Sequence, residues 1–203
     1  MEQLIIFSRY PEPGRTKTRL ISRLGAAGAA ELQRRMTEHT LRQVRALQRV
    51  RSVDGVVAFT GATTDQMRAW LGDHWQYSPQ TAGDLGQRMV AAIAHSCQAG
   101  SDRTVIIGID CPDLTSAILT AAFEQLQTHP VVLGPAQDGG YYLVGLTEPL
   151  PALFTGIDWG TDRVLAQSQQ AIAAQGKTCA ILPTLADVDY PEDLPIWEKY
   201  APS

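Results

Sequence analysis

Apolar residues recur along this chain in two alternating rhythms. Short β-branched and aliphatic runs read as strands at residues 4–7, 53–59 and 103–109, with a shorter one at 75–77. Between them, apolar positions return every three or four residues. Residues 27–50 read as a helix with Leu32, Met36, Val44, Leu47 and Val50 on one stripe, and 64–71 as a short helix. Residues 84–98 carry Leu85, Met89, Ala92, Ile93 and Ser96 at helical spacing behind Asp84, a suitable N-cap. Helices at 116–128 and 162–175 and strands at 131–133, 141–146 and 178–182 complete the pattern. Such alternation predicts an α/β fold with a parallel-rich sheet. Prolines 149 and 151 and the Trp159-Gly160 pair mark a long irregular connection, the kind that commonly carries function.

Composition narrows the partners. The 203 residues fit one domain, and 44% hydrophobic with 19% charged residues is ordinary globular usage. A net charge of −4 favours neither a nucleic acid polymer nor an anionic membrane as partner. No segment reaches the length of a membrane span, and a strand begins almost at Met1 without signal-peptide flanks. The three cysteines, Cys97, Cys111 and Cys179, are widely spaced and form no CxxC pair, so the cytoplasm is the expected compartment.

Candidate chemistry centres on RTVIIGIDCPDL, residues 103–114. Asp110 follows the carboxyl end of a buried strand, where open α/β sheets bind ligands, and Pro112 stops the strand. A hard cation such as Mg²⁺ needs only one or two such carboxylates. Asp113 reads as the start of the next helix and Cys111 as a small buried residue.

Upstream, the loop after the first strand gathers Arg9, Arg15, Lys17 and Arg19 around Gly14, a set suited to cradling phosphates. It is not a P-loop, because Thr16 stands where GxxxxGK[ST] needs glycine, and no GxGxxG follows the first strand. In GDLGQRM, Asp84 and Arg88 lie one turn apart: they either cap and pack the helix or position a nucleoside. Asp138-Gly-Gly reads as a hairpin turn that presents a carboxylate beside Tyr141 and Tyr142. In the tail, Asp187 and Asp189 face one side of an extended segment and can reach one metal, whereas Glu192 and Asp193 read as first-turn residues of a helix. His39, His74, His95 and His129 form no ligand-spaced pair and read as surface or helix residues.

Taken together, PEPGRTKTRL, GDLGQRM, IGIDCPDL, GPAQDGGYYLVGL, DWGT and DVDYPEDL resemble, over essentially the whole chain, a family of bacterial GT-A-like nucleotide-diphospho-sugar transferases. Some of its members are described as arsenosugar-biosynthesis glycosyltransferases. Related molybdenum-cofactor and phospholactate guanylyltransferases share a Gly/Lys loop, matched by Gly14 and Lys17, and an Asp-x-Pro-x-Leu motif, matched by Asp110, Pro112 and Leu114.

The resemblance implies a three-layer α/β/α sandwich with a mostly parallel mixed sheet, in a single domain over residues 1–203. Its nucleotide-binding half would span about 1–114 and its acceptor side about 115–203. It implies a metal-assisted glycosyltransferase using a nucleotide-diphospho-sugar and a small-molecule acceptor. Arg9, Gly14, Arg15, Lys17 and Arg19 would bind nucleotide or phosphate, and Asp84 and Arg88 the nucleoside. Asp110, with Asp187 and Asp189 from the tail across the crevice, would hold Mg²⁺ or Mn²⁺, and Asp138 is the candidate acid/base. The alternatives are a nucleotidyltransferase releasing pyrophosphate and a non-catalytic nucleotide-binding protein.

Overall fold

The first apolar run becomes β1 (Glu2–Arg9) in a computed structural model that describes residues 1–200. After it come α1 (Ile21–Gln48), β2 (Asp54–Thr60), α2 (Thr64–Leu71), β3 (Gln76–Pro79), α3 (Leu85–Gln98) and β4 (Arg103–Ile107). The second half adds α4 (Ser116–Gln125), β5 (Val131–Pro135), β6 (Tyr141–Leu146), α5 (Val164–Ala174), β7 (Cys179–Ile181) and α6 (Leu194–Glu198).

The strands form one sheet in the order β3-β2-β1-β4-β6-β5-β7, with only β6 antiparallel to its neighbours. Period-two alternation sends β-strand side chains to two cores. Leu4, Ile6, Val105 and Ile107 pack with Met36 of α1, Met67 of α2, Phe123 of α4 and Trp197 of α6. Ile5, Val56, Ile106 and Val144 face Met89 and Ile93 of α3 and Ile172 of α5. Helices therefore cover both faces, giving the expected three-layer sandwich. No helix among the described residues is long and apolar enough to cross a membrane.

Several boundaries differ from the sequence reading, three of them as follows. Helical geometry in α1 is broken at Gly25 (φ 72°, ψ 166°), so the regular helix starts close to the expected residue 27 although the assigned segment begins at Ile21. Val50 lies past the end of α1 and is 76% exposed, so it is not part of the buried stripe. β4 ends at Ile107 rather than 109: its paired register with β6 stops there, Gly108 N adds one more bond to the Tyr142 carbonyl at 3.0 Å, and the chain then leads to Asp110.

The strand order puts four loops at one end of the sheet. β1 and β4 are parallel neighbours, but β1 leads to β2 on one side while the later strands add on the other; this switch point opens a crevice at their carboxyl ends. β5 runs parallel to β4, so the β5–β6 hairpin turn reaches the same end, and the tail after β7 does too.

Candidate active site

The loop after β1 is shaped by two left-handed residues. Gly14 adopts φ 80° without penalty, whereas Lys17 is the one non-glycine residue with positive φ (45°) among the described residues. That conformation costs an L-residue roughly 1–2 kcal/mol. It aims the Lys17 side chain inward, where only 6% of it is exposed. Its Nζ donates to Asp110 Oδ1 at 2.5 Å, to the Val188 carbonyl at 2.6 Å and to Asp189 Oδ1 at 3.0 Å. All three ammonium protons are thereby used. Burial pulls the Lys17 pKa down, but Asp110 and Asp189 outweigh it and the value ends above that of an ordinary lysine.

Lys17, a candidate phosphate ligand from the sequence, also clamps the Asp110 loop to the tail. Val188 N donates to the Asp110 carbonyl at 2.9 Å, so the two segments also join through backbone. The expected contact across the crevice is present, but Asp187 and Asp189 do not share one partner. Asp189 meets Lys17 and Arg19, the latter at 3.4 Å. Asp187 is pushed up in pKa, chiefly by burial and next by the Asp138 charge.

Two cavities meet at this clamp. Arg9, Arg15, Lys17 and Arg19 line one of about 370 Å³ together with Gln33, Asp110 and Asp189. Arg15 is exposed and 3.5 Å from Glu12; Arg19 stacks on Tyr190 at 4.8 Å. The expected basic cradle is thus assembled, with Lys17 at its floor.

The other cavity, of about 320 Å³, lies on the far side of Asp110. Asp110, Asp138, Asp187 and Asp189 all border it, as do Cys111 and an aromatic group at its other end. Asp138 is presented by the β5–β6 turn: its Oδ1 accepts the Gly140 N–H at 2.8 Å, and Gly139 supplies φ 88°. A side chain at Gly139 would come within 2.4 Å of the Asp162 backbone, so the turn is packed against the following loop. Burial pushes the Cys111 thiol far up, and Asp110, Asp187 and Asp138 push it further, which removes it as a thiolate nucleophile.

Asp84 and Arg88 stand apart from the basic cradle. Asp84 forms a capping box at α3, accepting the Gln87 N–H at 2.8 Å, so its carboxylate serves the helix. Arg88 donates to the Gly83 carbonyl at 2.9 Å and borders a third cavity beside β2 and β3, with Ser78 and Gln80. The capping reading holds for Asp84, and the pair does not converge on one ligand position.

Two supporting groups have no role assigned from the sequence. His39 is buried on α1, and its Nε2 lies 2.9 Å from the Pro112 carbonyl, fixing the loop that carries Asp110. Burial lowers its pKa, so the neutral ring donates there. Trp159 on the 155–163 loop meets Tyr141 edge to face, centroids 6.3 Å apart, and roofs the acidic cavity. Residues i and i+73 share no local pattern, so only the fold reveals the first contact; the DWGT motif was the available signal for the second.

As for a metal, no group of three or more His, Cys, Asp or Glu among the described residues is arranged as a cage. Mg²⁺ and Mn²⁺ sites beside phosphates need fewer protein ligands, one or two carboxylates sufficing. Asp189 is committed to Lys17 and Arg19, whereas Asp187 sits among carboxylates with no cation beside it.

The fold has clear relatives among solved structures. A provisionally named nucleotide-diphospho-sugar transferase from Desulfovibrio desulfuricans G20 superposes with a TM-score of 0.87 at 31% identity, covering 94% of this chain and 84% of that one. At lower identity the same architecture appears in a CMP:2-keto-3-deoxy-manno-octonic acid synthetase complexed with CTP (TM-score 0.59, 14% identity, 98% and 97% covered). It appears again in Rv0371C of Mycobacterium tuberculosis H37Rv, in complex with manganese (0.62, 13%, 99% and 100%). No curated protein matches. A family model described as "Uncharacterized protein conserved in bacteria (DUF2064)" matches residues 40–161, and the chain belongs to that family of GT-A-like, nucleotide-diphospho-sugar-transferase-related proteins.

Proposed function

We propose that the protein is a transferase that moves a sugar from a nucleotide-diphospho-sugar to a hydroxyl of a small acceptor. The observation that carries this reading is the division of charge at the clamp. Arg9, Arg15, Lys17 and Arg19 border one cavity; Asp110 and Asp189, paired with Lys17 and Arg19, border both; and the other adds Asp138 and Asp187 with no lysine, arginine or histidine in its lining. Donor phosphates suit the first, through charge-assisted hydrogen bonds from Arg9, Arg15 and Arg19. The second has no cation in its lining to hold an acceptor phosphate or carboxylate, which favours a neutral hydroxyl as the attacking group.

In the proposed reaction an acceptor hydroxyl oxygen bonds to the anomeric carbon, the bond from that carbon to the β-phosphate oxygen breaks, and nucleoside diphosphate leaves. The hydroxyl proton passes to Asp138, whose Oδ1 is anchored by Gly140 N–H while the carboxylate faces the cavity. Lys17 holds Asp110 and Asp189 in place and lends positive charge to the floor of the phosphate cradle. Asp110 and Asp187 are the residues that fit a divalent ion, because both border the cavity and Asp187 is a carboxylate crowded by others. Mg²⁺ or Mn²⁺ held there would neutralise charge growing on the leaving diphosphate. Asp84 and Arg88 are left the modest role of shaping the α3 edge of the nucleoside region. The free cysteines accord with a cytoplasmic setting.

The test is to incubate the protein and Mn²⁺ with UDP-, GDP-, ADP-, CDP- and dTDP-glucose, and separately with the corresponding nucleoside triphosphates, plus hydroxyl acceptors. Acceptor-dependent nucleoside diphosphate is the expected product, lost by about 10²-fold or more in Asp138→Asn. Pyrophosphate from a triphosphate would replace this reading with nucleotidyl transfer. Binding without any product would replace it with a non-catalytic role.

A further inference from the structure

The acidic cavity has a second property that the transfer reaction does not use. Beyond its carboxylates its wall turns apolar: Phe7 from β1, Leu85 and Met89 from α3, Tyr141 from β6, and Trp159 and Val164 from the 155–163 loop and α5. Leu85 is 43% exposed at the first position of α3, so an apolar side chain stands at the mouth of the cavity instead of in the core. Trp159 is pressed against the same helix. A side chain at Gly86 would come within 2.9 Å of its indole and 2.6 Å of the Phe154 carbonyl, so α3 approaches the loop as closely as glycine allows.

The cations nearest this chamber are already paired or lie outside it. Lys17 spends its three protons on Asp110, Val188 and Asp189. Arg163 pairs with Asp158 at 3.1 Å, and Arg88 turns back to Gly83. An anionic ligand entering here would lose water and gain no countercharge, which is costly. A divalent ion at Asp110 and Asp187 would be matched by the donor's own phosphates and would leave Asp138 as the charge facing the ligand. An aromatic or aliphatic body, by contrast, fills a pocket of this size and lining with the contacts that bind small molecules.

We propose that the acceptor is an uncharged or cationic alcohol with an apolar, ring-sized body, seated between Trp159, Tyr141 and Leu85 with its hydroxyl toward Asp138. Phosphorylated and carboxylated acceptors are rejected by the same wall. The assignment rests on the transferase reading for the word acceptor, but the chamber's preference for charge and shape is a binding property that can be measured without turnover.

The experiment uses three phenols of one scaffold that differ in the charge of the tail: tyramine (cationic), tyrosol (neutral) and 4-hydroxyphenylacetate (anionic). Their binding to the full chain is measured by ligand-observed NMR, and UDP- and GDP-glucose are titrated on the same samples. Tyramine and tyrosol are expected to bind about tenfold tighter than 4-hydroxyphenylacetate, a difference of one pK-sized step in free energy. Trp159→Ala is expected to weaken all three. Leu85→Lys, on an exposed position that does not threaten folding, is expected to narrow the preference against the anion by about threefold, the scale of one solvent-facing charge pair. Equal or tighter binding of the anion, no saturable binding of any phenol, or binding indifferent to both substitutions overturns the inference. Loss of sugar-nucleotide binding with the phenol series intact overturns the proposed reaction alone; the reverse pattern overturns this inference alone.

Discussion

Lys17 and Asp189 lie 172 residues apart in sequence and meet at 3.0 Å through a buried ammonium. The same Nζ holds Asp110, 93 residues away, so the first loop, the β4 loop and the tail are fixed by one side chain. Removing it leaves two partly desolvated carboxylates beside each other. Lys17→Met keeps the volume and drops the charge; it is expected to lower unfolding stability by on the order of 2 kcal/mol, discounted from the 3–5 kcal/mol of a fully buried pair because both aspartates are partly exposed. Urea denaturation checks it, and an unchanged midpoint would show that the clamp contributes nothing. Because the folded-state pKa of Lys17 is raised, its contribution is complete below the unfolded value of 10.5 and is lost as pH climbs through the higher folded value. The difference between wild type and Lys17→Met should therefore shrink as pH climbs through that alkaline window.

Asp187 has the opposite character. Burial and Asp138 raise its pKa in the folded chain, so the native state binds a proton that the unfolded state releases first. Its contribution favours folding at low pH and declines as pH rises from the unfolded value of 3.8 through the raised folded value. Asp187→Asn removes that penalty and should raise the melting temperature at pH 7 while leaving it little changed near pH 3. The same substitution is expected to cost about tenfold or more in Mn²⁺-supported turnover, since outer and inner ligands of such ions each matter at that scale. A variant less stable at pH 7 would mean that Asp187 has a cation or donor beside it after all.

His39 supports the Asp110 loop from behind. Its ring lies 5.8 Å from Trp197 and 4.9 Å from Tyr200, and Tyr200 donates in turn to Asp113, so the C-terminal turn braces the segment holding Asp110. Arg42 on one side and Asp113 on the other are the charges facing it. His39→Phe keeps the packing and deletes the hydrogen bond to Pro112, which should cost about 1 kcal/mol. Its folded pKa is depressed, so wild type should lose stability as pH falls below 6.5 toward the folded value, and the variant should lack that component. Identical acid profiles for the two proteins would disprove a buried neutral His39.

Much of this architecture was legible in the sequence because it depends on local periodicity. Residues 64–71 and 141–146 fall where apolar spacing puts them, and the Asp84 cap follows from helix chemistry alone. The loop motifs also collect at one sheet end, as a β4 loop and a hairpin turn in an α/β sheet should. What periodicity does not encode is who pairs with whom. Lys17 looked like a phosphate ligand because cations cluster in its loop; its left-handed backbone, which turns it toward Asp110, leaves no trace in composition. Asp187 and Asp189 looked equivalent by spacing, yet the backbone bond from Val188 between them sends one to the clamp and the other to the carboxylates around Cys111. His39 is the helix residue it reads as, but its contact is not legible because the partner is a carbonyl from a distant loop.

Gly108 separates the fold from the acceptor chamber. It follows Ile107 at the end of β4, and alternation places it on the same face as Ile106, which borders the acidic cavity with it. A side chain there would meet no atom within 4 Å, and its φ is not in the left-handed range that demands glycine. Valine is favourable in extended backbone, so Gly108→Val should leave the melting temperature unchanged or slightly higher. It would also project two methyl groups into the space assigned to the acceptor. The acceptor KM is expected to rise by about tenfold, the cost of one or two displaced methylene-sized contacts, with Gly108→Ala intermediate. Sugar-nucleotide affinity should be unaltered, because the basic cradle lies on the other side of Asp110. If both variants fold and neither changes the acceptor KM, the acceptor does not occupy this chamber, and the division of charge across the Lys17 clamp would have to be explained by something other than two substrates.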